Sequence, residues 1–106
     1  MIGDQFAMRF EWDENKNRAN QVKHRLSFEE AIQVFRDPLH RTVPDRFVDG
    51  EQRWHTFGLS GGLLLLMISH TIREKDADGR YVELVRIISA RRATAHERNL
   101  YETNNG

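Results

Sequence analysis

Six consecutive apolar residues, Leu63-Leu64-Leu65-Leu66-Met67-Ile68, follow directly on the glycine pair Gly61-Gly62. The run falls well short of the roughly 18 apolar residues that a membrane span requires. An unalternating apolar segment that opens at a turn suits a strand at the centre of a sheet covered on both faces. A central strand needs partners on both sides, and the flanking segments qualify. Arg53–Leu59 alternates, with Arg53, His55 and Phe57 on one side and Trp54, Thr56 and Gly58 on the other. Ser60-Gly61-Gly62 is a hairpin turn. Past the apolar strand, which ends near His70, residues 74–80 form a charged turn containing Asp78-Gly79, and Tyr81–Ser89 returns as a third strand.

The remaining elements arrange themselves around this meander. Met8–Trp12 alternates as a short strand. Asp13 caps a helix to about Arg25, whose thin apolar stripe is Ala19, Val22 and Leu26. Ser27 and Glu30 form a capping box ahead of Phe28, Ala31, Ile32 and Phe35 at helical spacing, and Asp37-Pro38 ends that helix. Arg41–Val43 reads as a short edge strand closed by Pro44. Thr94 and Glu97 form a second capping box that opens a last helix, with Leu100 and Tyr101 on its apolar side. Residues 1–7 and 103–106 are expected to be flexible ends. The order β-α-α-(β)-β-β-β-α predicts a single α+β domain: an antiparallel sheet with helices mainly on one face, the other face being available to a ligand.

Composition excludes several chemistries. The chain has no cysteine, hence no disulfide scaffold, zinc–thiolate site or thiol nucleophile, which fits a cytoplasmic protein. Its start, MIGDQFAM, has neither the basic nor the apolar region of a signal peptide. The five histidines show no H-E-x-x-H or i, i+4 pairing, so neither metal nor cofactor is expected. The formal net charge is zero, but thirteen of the sixteen basic residues are arginine. Arginine is the side chain suited to bidentate phosphate contact. Basic and acidic residues nearly balance in each half of the chain, so a basic patch would have to be made by folding. Direct DNA binding is disfavoured by this balance and by the lack of a recognition helix.

A set of motifs in fixed order is similar to the BrnT toxin family: Phe10-x-Trp12-Asp13-x-x-Lys16, Asn20-x-x-Lys23-His24, Ser27-Phe28-Glu29-Glu30-Ala31-x-x-Val34-Phe35-x-Asp37-Pro38, Glu51-x-Arg53-Trp54, Gly58-x-Ser60 and Arg86–Ala93. The resemblance implies a RelE-like fold and a ribonuclease toxin of a bacterial type II toxin–antitoxin system that halts translation. It also implies a BrnA-like ribbon-helix-helix antitoxin as partner in a hetero-oligomer, with operator DNA bound only through that complex. The sequence departs from the family at Arg25, where a glycine usually follows the Lys-His pair. A left-handed residue there would cost about 1 kcal/mol without glycine.

Metal-independent RNA cleavage needs a base for the ribose 2′-OH, fixed cations around the phosphate and an acid for the leaving 5′ oxygen. The phosphate candidates are Arg53 and Arg86, on strands either side of the central one, with Arg91 or Arg92 where the last strand meets the last helix. His55, His70 and Glu51 are the candidates for proton transfer. Lys23 and His24 are further RNA-binding candidates, and Tyr101 could stack on a base. For each residue singly there is an ordinary structural explanation: a surface ion pair for an arginine, a hydrogen-bonded side chain for a histidine, helix-dipole complementation for Lys23-His24, and packing for Tyr101. The convergence of several arginines is what separates a ribonuclease from a non-catalytic module that docks a partner.

Overall fold

The apolar run does form the middle of a sheet. The computed structural model describes residues 6–105. It contains β1 (Phe6–Glu11), α1 (Glu14–His24), α2 (Phe28–Ala31), β2 (Arg41–Val48), β3 (Glu51–Ser60), β4 (Leu64–Ala77), β5 (Arg80–Arg92) and α3 (Ala95–Asn105). The five strands are ordered β1-β5-β4-β3-β2, with β4 at the centre. The meander β2-β3-β4-β5 is antiparallel, as expected. By contrast, β1 lies parallel to β5, so the sheet is mixed. The chain leaves β1 at one edge, crosses one face through α1 and α2, and re-enters at the opposite edge.

Alternation along β4 sorts its side chains between two layers. Leu66 and Ile68 join Val85, Ile87, Leu26, Phe28, Ala31 and Val34 in the main core beneath α2. Leu65 and Met67 face the other way and meet Phe57 and Tyr101, so that α3 covers one end of the second face. The rest of that second face carries no helix. It is called the open face below.

Several boundaries differ from those read in the sequence. β2 is an edge strand, where a proline is tolerated, and it continues through Pro44 and a register shift before Phe47 to Val48. The second helix makes one α-turn and then tightens into a 3₁₀ segment over Ile32–Arg36. β4 and β5 extend to a tight turn at Asp78-Gly79, where both residues have positive φ. Residues 6–7 lie in β1 and residues 103–105 in α3; the other residues expected to be flexible, 1–5 and 106, lie outside the described ones. Arg25 adopts the left-handed geometry of a helix C-cap, with φ 58°, although it is not glycine.

The largest correction concerns α1. Of its apolar stripe only Leu26, just past the helix end, is buried in the main core; Val22 is 86% exposed and Ala19 is also exposed, while the buried positions within the helix are Asn17 and Asn20. Past Glu11, the edge of β5 has no strand beside it, and α1 takes that place. The Asn20 amide replaces the absent strand. Its Nδ2 donates to the Ala90 carbonyl at 2.9 Å and its Oδ1 accepts from the Ala90 N–H at 3.1 Å. Nδ2 also donates to Leu26 O at 2.9 Å. Asn17 performs a similar task for α2, accepting from Phe28 N and donating to Glu29.

Removal of the Asn20 amide would leave the Ala90 N–H and carbonyl buried and unpaired. Each such group costs about 1–3 kcal/mol. We expect Asn20→Ala to lower the stability by about 2–4 kcal/mol. Urea unfolding would measure this, and a loss below about 0.5 kcal/mol would show that the amide pairing does not hold α1 in place.

Candidate active site

The ladder register aligns the polar residues of the open face in rows across the strands. Thr71 of β4 is opposite Arg86 of β5, and Arg86 is opposite Glu11 of β1. On the other side of β4, Trp54 is opposite His70, so the next step of the same ladder brings Arg53 beside Thr71. One row therefore reads Arg53–Thr71–Arg86–Glu11. Arg53 and Arg86 are two strands apart, roughly 10 Å between backbones. That span is within the reach of two long guanidinium side chains, and Thr71 between them is only 3% exposed. The next row reads His55–Ser69–Ser89.

Carboxylates neutralise much of this face. Arg86 lies 3.7 Å from Glu11, a loose pair between half-exposed groups. Arg73 donates to Glu51 at 3.0 and 3.5 Å, and this partner, with Glu11 adding a smaller effect, raises the Arg73 pKa. Glu51, expected as a free base, is thus engaged by Arg73. His55 Nε2 lies 3.3 Å from Asp45, and its ring stands edge-on to Phe57. Arg53 Nε is buried without a hydrogen-bond partner among the described residues. Neither Glu11 nor Arg73 was singled out in the sequence. The alternation of Met8–Trp12 gave the facing of Glu11, but its strand partner lies 75 positions away and is invisible locally.

Three other candidates are held elsewhere. His70 is fully buried on the helix side of the sheet, opposite to the face of Arg53 and Arg86. Its Nε2 is 2.6 Å from Thr56 Oγ1, which in turn is 2.8 Å from Thr42 Oγ1, and its ring packs edge-on against Phe35. It is a core histidine and cannot reach a phosphate on the open face. Tyr101 is buried against Phe57, Leu65 and Met67 and donates to Asp37 Oδ2 at 2.6 Å, so it has no free ring face for a base. Burial and that carboxylate push its pKa up to about 12. Burial works against the charge on Asp37, but the Tyr101 hydroxyl and the Leu59 and Leu39 amides together hold its pKa below the ordinary value.

The two adjacent arginines differ in their contacts. Arg91 makes a two-pronged pair with Glu97, at 2.7 and 2.8 Å. Glu97 also completes the α3 capping box by accepting from Thr94 N at 2.9 Å. Arg91, opposing burial, holds the Glu97 pKa down at about 2. Arg91 is therefore committed to the strand–helix junction, whereas Arg92 is exposed at the end of β5. Lys23 and His24 lie at the end of α1 and line a groove beside Ser89. Among the described residues no group of three or more His, Cys, Asp or Glu is arranged to hold a metal, and no helix is long and apolar enough to cross a membrane.

Comparison with known proteins bears on the family and the fold. The family described as "Ribonuclease toxin, BrnT, of type II toxin-antitoxin system" matches residues 12–97. The fold is similar to the 1.1 Å-resolution crystal structure of the Brucella abortus ribonuclease toxin, BrnT, with a TM-score of 0.57 and 22% identity. The match covers 82% of this chain and 97% of that one. No curated protein matches the sequence.

His70 supplies a check on the two faces. Burial, opposed by the Thr71 carbonyl, lowers its pKa from 6.5 to about 4. The unfolded chain therefore binds this proton more readily than the folded one. The stabilisation is complete above pH 6.5 and is lost as the pH falls through that value toward 4. Its upper bound is about 3 kcal/mol. Urea unfolding between pH 7 and 4 is expected to show a steeper decline in the wild type than in His70→Gln. An equal decline in both would contradict a buried neutral His70.

Proposed function

The chain belongs to the BrnT family of ribonuclease toxins of type II toxin–antitoxin systems, and from that membership we propose that its open sheet face cleaves RNA without a metal. The observation that supports this reading is the row Arg53–Thr71–Arg86–Glu11, in which two arginines from separate strands flank one small residue on the same face. A phosphodiester bound there would be held by both guanidinium groups as its charge builds in the transition state. The ribose 2′-OH is the nucleophile: O2′ bonds to phosphorus as the bond from phosphorus to O5′ breaks, giving a 2′,3′-cyclic phosphate and a free 5′-OH. One proton leaves O2′ and one is delivered to O5′. We assign these transfers to His55, held by Asp45, and to Glu11, beside Arg86. Glu51 acts through Arg73, whose guanidinium it orients. Arg92 is exposed but opposite Leu66, on the helix side of the sheet, so it is not assigned to RNA bound on the open face.

In the cell the toxin would act in the cytoplasm, cutting RNA and so inhibiting translation. Its antitoxin would be a BrnA-like ribbon-helix-helix protein that forms a hetero-oligomer with it and brings the complex to operator DNA. Such a partner would supply the DNA-binding element that this chain lacks.

Purified wild-type protein is expected to cut single-stranded RNA equally well with and without EDTA, leaving cyclic phosphate ends. Arg53→Ala and Arg86→Ala should each lower kcat/KM by roughly 100-fold or more, with unfolding midpoints unchanged. Full activity in both variants would remove these residues from the site. A wild type that cuts neither free nor ribosome-bound RNA, and does not arrest growth, would indicate a non-catalytic docking module instead.

A further inference from the structure

The second row on the open face, His55–Ser69–Ser89, does not end at β5. Beyond Ser89 the sheet gives way to α1, and between them lies a groove of about 210 Å³ lined by Lys16, Lys23, His24, Ile88 and Ser89, with Asn20 among its walls. Two of the three lysines in the sequence are gathered here. The spacing of α1 explains it, because Lys16 and Lys23 are seven residues apart and share one helical stripe. Asn20, on the same stripe, fixes that stripe against β5 through its pairing with Ala90.

The electrostatics of the groove differ from those of the neighbouring arginines. Arg73, Arg86 and Arg91 each have a carboxylate within ion-pair distance. No carboxylate lines the groove, and among the described residues neither Lys16, Lys23 nor His24 has an ion-pair partner. Complementing the α1 dipole accounts for Lys23 and His24 at the helix end. It does not account for Lys16, which sits in the first turn, where a cation is disfavoured.

We propose that this groove is a second phosphate subsite, holding the backbone of the same RNA strand on the side away from the scissile bond. The inference rests on the ribonuclease reading above for the identity of the strand. Arg86 and Ser89 are opposite Thr71 and Ser69, two residues apart on β4, because β5 bulges between them. They are therefore about 7 Å apart on one face, and a strand whose reactive phosphate lies over Arg53 and Arg86 passes the groove with a neighbouring phosphate. Lysine suits this role, since flexible point charges bind a backbone without demanding one orientation. The ligand is thus a phosphodiester of single-stranded RNA. An acidic segment of the antitoxin is the competing occupant.

The test uses a non-cleavable probe, a 2′-O-methyl RNA of about twelve nucleotides carrying a fluorophore, so that affinity is read by anisotropy apart from cleavage. Lys16→Gln/Lys23→Gln is expected to bind it roughly tenfold more weakly at low salt and to reduce the slope of log K against log salt by about 1.4, two phosphates' worth. Arg18→Gln, on the same helix but outside the groove, should leave both unchanged. If the double variant binds RNA as the wild type does, the subsite is overturned. If it then also loses affinity for the purified antitoxin, the groove belongs to the antitoxin. A wild type that binds the probe in a lysine-dependent way yet cuts no RNA would support the groove and contradict the ribonuclease reading alone.

Discussion

The side-chain amide of Asn20 is the contact on which the arrangement of this molecule turns. Edge strand β1 is short and leaves the far half of β5 without a partner. A free edge of this kind exposes backbone donors and acceptors that must be paired or covered. Asn20 meets both groups of Ala90 as a strand would, seventy residues away in sequence. It lets a helix with almost no apolar face sit against the sheet. α1 then brings Lys16 and Lys23 beside Ser89 and sets the chain's entry into α2, whose first amide is held by Asn17. The main core beneath α2 follows from that entry.

The alternation of the strands does the rest. A one-residue step along β3 separates His55, on the open face with Asp45, from Thr56, which is buried against His70. Two histidines in adjacent strands thereby acquire opposite characters: one half-exposed beside a carboxylate, the other kept neutral in the core. The same parity aligns Arg53 and Arg86 and brings Glu11 beside them. A chain with zero net charge can in this way present a polarised face, because its carboxylates are distributed unevenly among its cations. Arg91 is neutralised by Glu97 in fixing the strand–helix junction, while among the described residues the lysines of α1 have no ion-pair partner.

Much of this was legible where the signal is local. The capping residues Asp13, Ser27–Glu30 and Thr94–Glu97 all cap as their spacing implies. The meander follows from the turn glycines and the apolar run, and the facing of Arg53 and Arg86 from alternation alone. What was not legible depends on distant partners. The parallel pairing of β1 is set by the crossover and has no local signature. The burial of His70 depends on which side of β4 the helices cover. Tyr101 was ambiguous because an aromatic beside a polar partner reads equally as stacking platform or as anchor, and Asp37 decides it. The seat of α1 has no apolar periodicity to reveal it, because two asparagines, Asn17 and Asn20, carry its attachment through hydrogen bonds to distant backbone groups.

The central claim is that Arg53 and Arg86 grip one phosphate together. A double-mutant cycle on kcat/KM, with Arg53→Ala, Arg86→Ala and the double variant on one RNA substrate, tests it most directly. Residues that act as a unit are strongly non-additive, so the account predicts a double variant little worse than either single one, a coupling of about 1.5 kcal/mol or more. Losses that simply add, within about 0.5 kcal/mol, would mean that the two arginines serve separate sites and would contradict it.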